Sequence, residues 1–339
     1  MVWVRSYFIV TLAAALLAAT NARAQPASVV QENEYAKVRV RIEKDLTQYP
    51  KNLTARFGSY TRHYEVIIKD NNKYDVVEVV PLKHYLAGVV SKEMPLAWPL
   101  EALKAQAVVA RSYLFSRMNE RREKIFHVDA DQMDQVFEWT NSTKAYQVVN
   151  ATEDIVLSAN KKIVKTFYHS DCGGQTLPAD KVWEGAVDLG TTQDPWCQAR
   201  FSNQWSFSVP ASEFQNKDVF EMGYFKNKII RFDEWGIQKL RQLFGYSKIR
   251  SSPEKIEVSD GSVTFSGRGF GHGVGLCQWG SLYMAKKGRT YMDILTHYYP
   301  KAEILKIQSL LVKNYLTNNE NPKTILNKTD MKSKVTFNN

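Results

Sequence analysis

The sequence predicts an α+β fold in which early helices line a cleft against a mixed, largely antiparallel sheet. Two helical patterns stand together between residues 81 and 118, and short β-like runs separated by turns follow from about residue 124 to residue 275. Helices grouped before strands, instead of alternating with them, are typical of this class. The chain has 339 residues, 44% of them hydrophobic, which is enough apolar material for a packed core.

Residues 1–24 have the features of a cleaved secretory signal peptide. Arg5 precedes an apolar run over residues 7–19, and a small-x-small cleavage site stands at residues 22–24. A membrane anchor is the alternative, but about 20 apolar residues are needed to cross a bilayer and this run is shorter. We therefore expect a secreted or periplasmic protein that begins at Gln25, with no stable membrane insertion after cleavage.

The formal net charge of +10 favours an anionic partner. Outside the cytoplasm, cell-wall polymer and lipid headgroups are the accessible polyanions. No helix or strand carries the interleaved basic and aromatic residues typical of a nucleic-acid surface, so no nucleic-acid partner is expected. Part of the charge lies in residues 306–339, a segment rich in Lys, Asn and Thr that we expect to be a flexible, solvated tail.

Residues 25–75 are expected to form an N-terminal extension and a β-hairpin. In "YEVIIKDNNKYDVVEVVPL" apolar and polar residues alternate on both sides of Asn71-Asn72, which is typical of a hairpin turn. A helix should follow, because Pro81 suits a first helical turn and apolar residues then recur on one helical face. Since Pro95 disfavours helical geometry in the residue before it, this helix is expected to end at or beside Glu93.

A second helix is predicted in "WPLEALKAQAVVARSYLFSRM". Pro99 stands at its start, Glu101 in its first turn and Arg117 toward its end, each in the position that helix termini favour. Its alanines permit close approach to a neighbouring element. Later runs such as "KIVKTFYHS", "KIEVSD" and "SVTFSG" have strand character, and "DEWGIQKLRQLFGY" has helical character.

Glu93 stands at the expected C-terminal end of the first helix. There its carboxylate faces unsatisfied carbonyl groups and the negative end of the helix dipole, which disfavour the ionised form. Apolar neighbours such as Met94 and Trp98 would raise the pKa of Glu93 further by excluding water. A carboxylic acid that stays protonated near neutral pH is what a general acid for glycoside cleavage requires, although many exposed glutamates also end helices beside a proline.

Four further motifs occur in order after Glu93, and together they resemble one protein family. They are "AQAVVARSY", "FYHSDCGG", "GRGFGHGVGLCQWG" and "ILTHYYP". With the preceding "EMP" they are similar to the SpoIID family, named for stage II sporulation protein D, whose relatives include amidase enhancers of the bacterial wall. The resemblance covers about Val76 to Ala302, so residues 76–305 are expected to form the catalytic domain.

This resemblance implies a lytic transglycosylase acting on peptidoglycan glycan strands. Such an enzyme cleaves the MurNAc-GlcNAc β-1,4 bond and leaves a 1,6-anhydro-MurNAc end. The family's catalytic acid is the Glu of its E-M-P motif, which corresponds to Glu93. One carboxyl group would first protonate the departing oxygen and then accept the proton of the 6-hydroxyl as it attacks the anomeric carbon.

Seven further residues are candidates for binding the glycan. Three lie on the second helix, which is expected to line the cleft, and Arg111 has a structural ion pair as its alternative role. The others lie in the strand-to-turn motif and the glycine-rich loop, whose glycines have the alternative role of permitting turns. The candidates are Gln106, Arg111, Tyr113, His169, Ser170, His272 and Gln278.

The three cysteines predict a disulfide and one buried thiol. Cys172 and Cys197 both flank predicted turns, and Cys277 lies in a different motif, so we expect Cys172 to pair with Cys197 in an exported protein. A metal site that uses His169 with Cys172, or His272 with Cys277, is the alternative. A Cys-His nucleophilic enzyme is not expected, because no orienting Asn or Asp is identifiable.

Some SpoIID-like proteins carry structural zinc on a His followed six and twelve residues later by cysteines. Here the matching stretch "HVDADQMDQVFEW" has Met133 and Trp139 after His127, so two of three ligands are missing. We therefore predict no metal and no cofactor, and expect packing to hold this region.

Two other functions are left open by the sequence. A non-catalytic wall-binding protein could enhance a separate wall amidase, which would then be a partner. A lysozyme-like hydrolase would need a carboxylate to activate water, for which Asp129, Asp131 and Asp134 are the candidates.

Overall fold

The computed structural model describes residues 37–51, 53–198, 203–215, 224–226, 229–231, 234–259 and 261–307. The predicted signal peptide and all of the predicted tail beyond residue 307 lie outside these residues. No helix within the described ranges combines the length and the apolar character needed to cross a bilayer.

A four-stranded sheet opens the fold, and it is antiparallel except for its last strand pair. The first elements are β1 (Lys37–Leu46), β2 (Arg56–Phe57), β3 (Tyr60–Thr61), β4 (His63–Lys69), β5 (Lys73–Pro81) and, later in the chain, β6 (Val128–Asp129). The sheet order is β4-β5-β1-β6. The predicted hairpin is confirmed, since β4 and β5 pair around a 3-10 turn at Asp70–Asn72. The expected boundary after residue 75 falls inside β5, and β1 pairs with β5, so the extension is an integral part of the sheet.

Three helices pack on this sheet and form the main core. They are α1 (Leu82–Glu93), α2 (Leu100–Glu120) and α3 (Thr143–Ala151). The predicted end of α1 is confirmed, because Met94 is already extended (φ −131°, ψ 142°) in front of Pro95. α2 is buried along most of its circumference, which its small alanines allow, so it is the central helix of this core.

The remaining elements are mostly short. They are β7 (Ile155–Ala159), β8 (Lys162–Ile163), β9 (Tyr168–His169), α4 (Ala179–Val182), α5 (Pro195–Gln198), β10 (Gln204–Pro210), α6 (Ala211–Gln215), β11 (Tyr224–Lys226), β12 (Ile229–Arg231), α7 (Glu234–Phe244), β13 (Lys255–Ser259), β14 (Ser262–Arg268), β15 (Leu276–Cys277), α8 (Gln278–Lys286), α9 (Tyr291–Tyr298) and β16 (Glu303–Lys306). The mixture of helices and mostly antiparallel sheets confirms the α+β prediction.

A second, smaller core joins α7 to the antiparallel sheet β10-β14-β13. Trp205, Leu240 and Phe265 are buried in it. The strands predicted in "KIEVSD" and "SVTFSG" and the helix predicted after residue 233 are therefore confirmed. The run "KIVKTFYHS" was expected to be one strand, but it contains only β8 and β9, with irregular backbone between them.

The parallel pair β9 and β15 brings two motifs together that are more than 100 residues apart in the sequence. Tyr168 lies opposite Leu276, and His169 lies opposite Cys277. The loop after β9 and the start of α8 therefore lie side by side.

Candidate active site around Glu93

Glu93 is the last residue of α1, and its carboxyl group is held by two hydrogen bonds. Oε1 accepts a hydrogen bond from the backbone N–H of Val136 at 3.0 Å, and the hydroxyl of Tyr168 also bonds to the group. Burial raises the pKa of Glu93 above its ordinary value, although these two bonds oppose the rise. The protonated form is thus more populated near neutral pH than in an ordinary glutamate.

Gly88 allows the loop that carries Val136 to lie close to α1. A Cβ atom at Gly88 would overlap the ring of Phe137 and the carbonyl oxygen of Glu138. Because glycine has no side chain there, the 136–138 backbone rests directly on the helix, one turn before Glu93. This contact positions the N–H group that binds the carboxyl group.

Tyr168 is itself held by a chain of buried polar groups. Its hydroxyl accepts from Nε2 of Gln135 at 3.5 Å, and Oε1 of Gln135 accepts from the hydroxyl of Tyr85 at 3.2 Å. Tyr85 and Gln135 are almost completely buried. The chain fixes the direction from which Tyr168 donates to Glu93.

An aromatic surface connects the segment after Glu93 to the start of α8. The rings of Trp98 and Trp279 have centroids 5.2 Å apart, and the ring of Tyr283 lies 6.2 Å from that of Trp279. All three side chains are half-buried, so part of their aromatic surface stays exposed. The backbone N–H of Trp279 donates to the carbonyl oxygen of Ser170 at 3.1 Å. Half-exposed aromatic rings of this kind provide apolar area with a polar edge for a ligand.

Val136 and Tyr168, which hold Glu93, and Trp279, which packs against Trp98, were not predicted from the sequence. Val136 acts through its backbone, which no sequence pattern marks. Tyr168 and Trp279 stand directly next to predicted site residues, in "FYHS" and "CQWG". An aromatic residue adjacent to a candidate site residue was the available signal.

The structure gives Arg111 and Tyr113 structural partners. The guanidinium of Arg111 is buried and donates to the carbonyl oxygens of Val149, Thr152 and Ile155, at the end of α3. Burial lowers the pKa of Arg111 to about 10. The hydroxyl of Tyr113 donates to Asp134 at 2.9 Å. These contacts favour a structural role for Arg111, through carbonyl groups instead of the ion pair considered above.

Gln106 differs from these two residues because its side chain is buried without a partner. Neither Oε1 nor Nε2 forms a hydrogen bond within the described part of the chain. A buried amide that lacks partners is costly, so such a group needs a water or ligand contact. Gln106 therefore remains a candidate for binding.

His169 and His272 lie together. Their ring centroids are 5.5 Å apart, Nδ1 of His169 contacts the carbonyl oxygen of Val274 at 3.0 Å, and Nδ1 of His272 accepts from the N–H of the same residue at 3.0 Å. Burial lowers the pKa of His169 to about 4, so this ring is neutral at physiological pH. Gln278 is the buried first residue of α8.

His272 also lines a cavity of about 270 Å³ between the 171–175 and 271–273 loops. Glu93 and Tyr168 are not among the residues that line it. The cavity is therefore not the space next to the Glu93 carboxyl group.

The region around His127 is held by hydrogen bonds and aromatic packing. Nδ1 of His127 accepts from the backbone N–H of Arg39 at 3.1 Å. Trp139 packs against Phe57 and Tyr60, and its Nε1 donates to Glu78 at 3.1 Å.

The predicted disulfide between Cys172 and Cys197 is not formed, because all three cysteines are free thiols. Cys277 was not expected near the other two cysteines, because it lies in a different motif. The pairing of β9 with β15 nevertheless places its sulfur 3.3 Å from the backbone nitrogen of Cys172. The three sulfur atoms and a carboxylate oxygen of Asp194 all lie within 4.8 Å of one another. These four side chains are a group that could hold a metal ion.

Comparison with known proteins agrees with the motifs. The SpoIID family, described as stage II sporulation protein, matches residues 70–158, a range that includes Glu93 and α2. Stage II sporulation protein D of Bacillus subtilis (strain 168) is 31% identical over 70% of this chain and 78% of its own length. The protein of the same name from Bacillus amyloliquefaciens is 30% identical, with the same coverage. The amidase enhancer of Bacillus subtilis is 25% identical over 63% of this chain and 39% of its own length. The chain belongs to the SpoIID family.

Proposed function

We propose that this protein is an exported lytic transglycosylase that cleaves peptidoglycan glycan strands, with Glu93 as general acid and then general base. The bond cleaved is the MurNAc-GlcNAc β-1,4 linkage, and the product carries a 1,6-anhydro-MurNAc end. The observation that carries the proposal is the environment of Glu93. Its carboxyl group is half-buried, has a raised pKa and is held by two neutral donors.

The two steps need only one carboxyl group. In the first, the Glu93 proton moves to the glycosidic oxygen, and the bond from that oxygen to the anomeric carbon breaks. In the second, the Glu93 carboxylate accepts the proton of the sugar's 6-hydroxyl, and the 6-oxygen bonds to the anomeric carbon. The acid is restored, and no water is consumed.

The electrostatics suit both steps. Desolvation favours the protonated form of Glu93 before cleavage, as a general acid requires. The N–H of Val136 and the hydroxyl of Tyr168 then stabilise the carboxylate that forms. Because neither donor is charged, the carboxylate remains a base strong enough to accept the second proton.

The hydrolase alternative is disfavoured by the contacts of its candidate bases. Asp134 contacts Arg117 and Arg121, Asp129 contacts Arg41, and Asp131 contacts Lys44. In all three, the carboxylate oxygens are already engaged by a cationic side chain. The ion pair with Lys44 and the N–H of Met133 hold the pKa of Asp131 below its ordinary value, against its partial burial.

A non-catalytic role as an amidase enhancer is the second candidate, because one relative carries that name. Under this alternative, a wall amidase would be the partner and Glu93 would be dispensable. The aromatic surface formed by Trp98, Trp279 and Tyr283 would serve glycan binding in either case.

Product analysis separates the candidates. Purified protein is incubated with peptidoglycan and with glycan strands freed of stem peptides, and the released ends are identified by mass spectrometry. We expect 1,6-anhydro-MurNAc ends from the wild-type protein and none from Glu93→Gln. Reducing ends would indicate a hydrolase, and no cleavage of either substrate would contradict the enzymatic proposal.

Glu138→Gln is the matched control. Glu138 lies near α1, is 66% exposed at its side chain and pairs with Lys92. This variant loses a carboxylate close to Glu93 but should retain wild-type cleavage. Equal loss in both variants would indicate a nonspecific effect of charge.

A further inference from the structure

The cysteine cluster, formed by Cys172, Asp194, Cys197 and Cys277, contains the buried carboxylate of Asp194. Asp194, Cys197 and Cys277 are fully buried, and Cys172 is half-buried. Asp194 accepts from the hydroxyl of Tyr298 at 2.7 Å and from the backbone N–H of Cys197 at 3.0 Å. Within the described ranges no Lys or Arg forms an ion pair with it. An ionised carboxylate in such a place is costly unless a positive charge accompanies it.

We propose that Cys172, Asp194, Cys197 and Cys277 bind a structural zinc ion. Zinc prefers four ligands in a tetrahedral arrangement, with sulfur at about 2.3 Å and carboxylate oxygen at about 2.0–2.2 Å. Such a geometry places sulfur atoms roughly 3.8 Å apart, so a contraction of about 1 Å at most is needed from the 4.8 Å limit of the cluster.

The donor set favours zinc over other thiolate-bound centres. The chain has three cysteines, whereas iron–sulfur clusters are usually held by four. A carboxylate oxygen beside three sulfurs suits borderline Zn²⁺ better than Cu⁺, which selects soft ligands alone. The metal would supply the positive charge that Asp194 lacks.

Backbone N–H groups are already directed at two of the sulfurs. Gly174 donates to Sγ of Cys172 at 3.4 Å, while Cys172 and Gly280 donate to Sγ of Cys277 at 3.3 Å and 3.4 Å. Cys277 also precedes the first turn of α8, where the helix dipole favours a negative charge. Donors of this kind stabilise thiolates, which are the form that binds metal.

The fourth ligand is positioned by two other residues. Tyr298 holds Asp194 through its hydroxyl group. A Cβ atom at Gly280 would overlap both that hydroxyl and the Asp194 carboxylate. A glycine at this position lets the carboxylate reach the sulfur atoms.

A metal here would join three segments of the chain. Cys172 lies in the loop after β9, Cys197 lies in α5, and Cys277 lies in β15 directly before α8. The same loop and helix meet where Trp279 donates to Ser170. The ion would therefore fix this junction, and the inference does not depend on catalysis by Glu93.

The test uses the wild-type protein, purified under reducing conditions without chelator. We expect about one zinc ion per chain by elemental analysis, as for a structural site. Replacement by Co²⁺ should give a thiolate-to-cobalt charge-transfer band and the intense visible bands of a tetrahedral site. X-ray absorption should show three sulfur neighbours at about 2.3 Å and one oxygen at about 2.0–2.2 Å. These measurements need no variant.

Variants then locate the ion. Cys277→Ser and Asp194→Asn should each weaken Zn²⁺ binding by at least roughly 10-fold. The matched control is His127→Gln, which changes the stretch where other family members carry zinc ligands and should keep full metal content.

Three results would overturn the proposal. The first is a wild-type protein that retains no metal after incubation with Zn²⁺ and dialysis. The second is a disulfide between any two of the cysteines in that protein, detected by mass without reduction. The third is a metal lost in His127→Gln but kept in folded Cys277→Ser.

Discussion

Two carboxylates in neighbouring parts of the fold have opposite surroundings. Asp134 is completely buried and accepts from Arg117 and Arg121, from the Tyr113 hydroxyl and from the backbone N–H of Asp129. Glu93 accepts from a backbone N–H and a tyrosine hydroxyl, and no ion pair reaches it among the described residues. The same functional group is thus placed once among cations and once among neutral donors.

This difference assigns the two groups to different tasks. A carboxylate between two arginines compensates their charges, and its removal would leave these partly buried charges with fewer partners. A carboxyl group held only by neutral donors in a partly dry site can gain and lose a proton at modest cost. Asp134 is therefore suited to holding the structure, and Glu93 to proton transfer.

The largest expected effect is on glycan cleavage, and it tests directly whether Glu93 and Asp134 have different roles. Glu93→Gln should lower glycan cleavage by roughly 10²–10⁴-fold, the contribution typical of general acid–base catalysis, without loss of folding. Asp134→Asn should lower the free energy of unfolding by about 1–3 kcal/mol, because two partly buried guanidinium groups each lose one of their carboxylate partners. Cleavage rates per folded molecule and urea unfolding measure the two effects.

The two roles would be contradicted if Asp134→Asn lost cleavage instead of stability, or if Glu93→Gln kept its cleavage activity. An Asp134→Asn protein that folds normally but does not cleave glycan would make Asp134 a catalytic group. A Glu93→Gln protein with wild-type activity would remove Glu93 from the mechanism.

A smaller effect on cleavage is expected when the backbone that binds the Glu93 carboxyl group is displaced. Gly88→Ala places a methyl group against Phe137 and the carbonyl of Glu138, so the 136–138 backbone must move away from α1. Overpacking of this kind costs about 1–3 kcal/mol, and the shift should also weaken the bond from Val136 to Glu93. We expect reduced kcat with little change in KM. Gly58→Ala is the control: its φ of 58° makes alanine costly there, but the added methyl group contacts nothing, so stability should fall while kcat stays at the wild-type value.

The elements around Glu93 were predictable from sequence because their signals are local. Pro95 stops α1, the alternating residues around Asn71-Asn72 give the hairpin, and the alanines of α2 allow its burial. Glu93 itself was predictable from its place at a helix end and from the motifs. Local rules therefore predicted the position of Glu93 at the end of α1 and the elements around it.

The features that sequence reasoning missed depend on long-range pairing. The bond from Val136 comes from a backbone group 43 residues away, and Cys277 reaches Cys172 only because β9 and β15 pair in parallel. Arg111 was predicted to bind the glycan because its helix was expected to line the cleft. Its side chain instead contacts the end of α3. Neither hydrophobic periodicity nor turn chemistry carries information about such contacts.

A sharper test of the comparison is the pH dependence of cleavage. The Tyr168 hydroxyl lowers the pKa of Glu93, so Tyr168→Phe should raise that pKa further. Since the first step needs protonated Glu93, the alkaline limb of the pH–kcat profile should move to higher pH, with a loss of rate of no more than about 10-fold. Tyr146→Phe is the control, because its hydroxyl bonds to His84 instead. A limb that moves to lower pH would contradict the assigned direction of the Tyr168 bond.

The smallest expected effect is on stability, and its sign follows from the raised pKa of Glu93. An acid whose pKa is higher in the folded state than in the unfolded state favours folding most at low pH, where it is protonated in both states. That advantage is lost as pH rises through the folded pKa, because the ionised group is then buried at a cost. Glu93→Gln has no such group, so its Tm relative to wild type should increase with pH above the ordinary glutamate range and then level off. Glu138→Gln, which removes an exposed glutamate paired with Lys92, is the matched control. A Tm difference for Glu93→Gln that falls with rising pH would mean that the folded protein stabilises the Glu93 carboxylate, which is incompatible with a general acid.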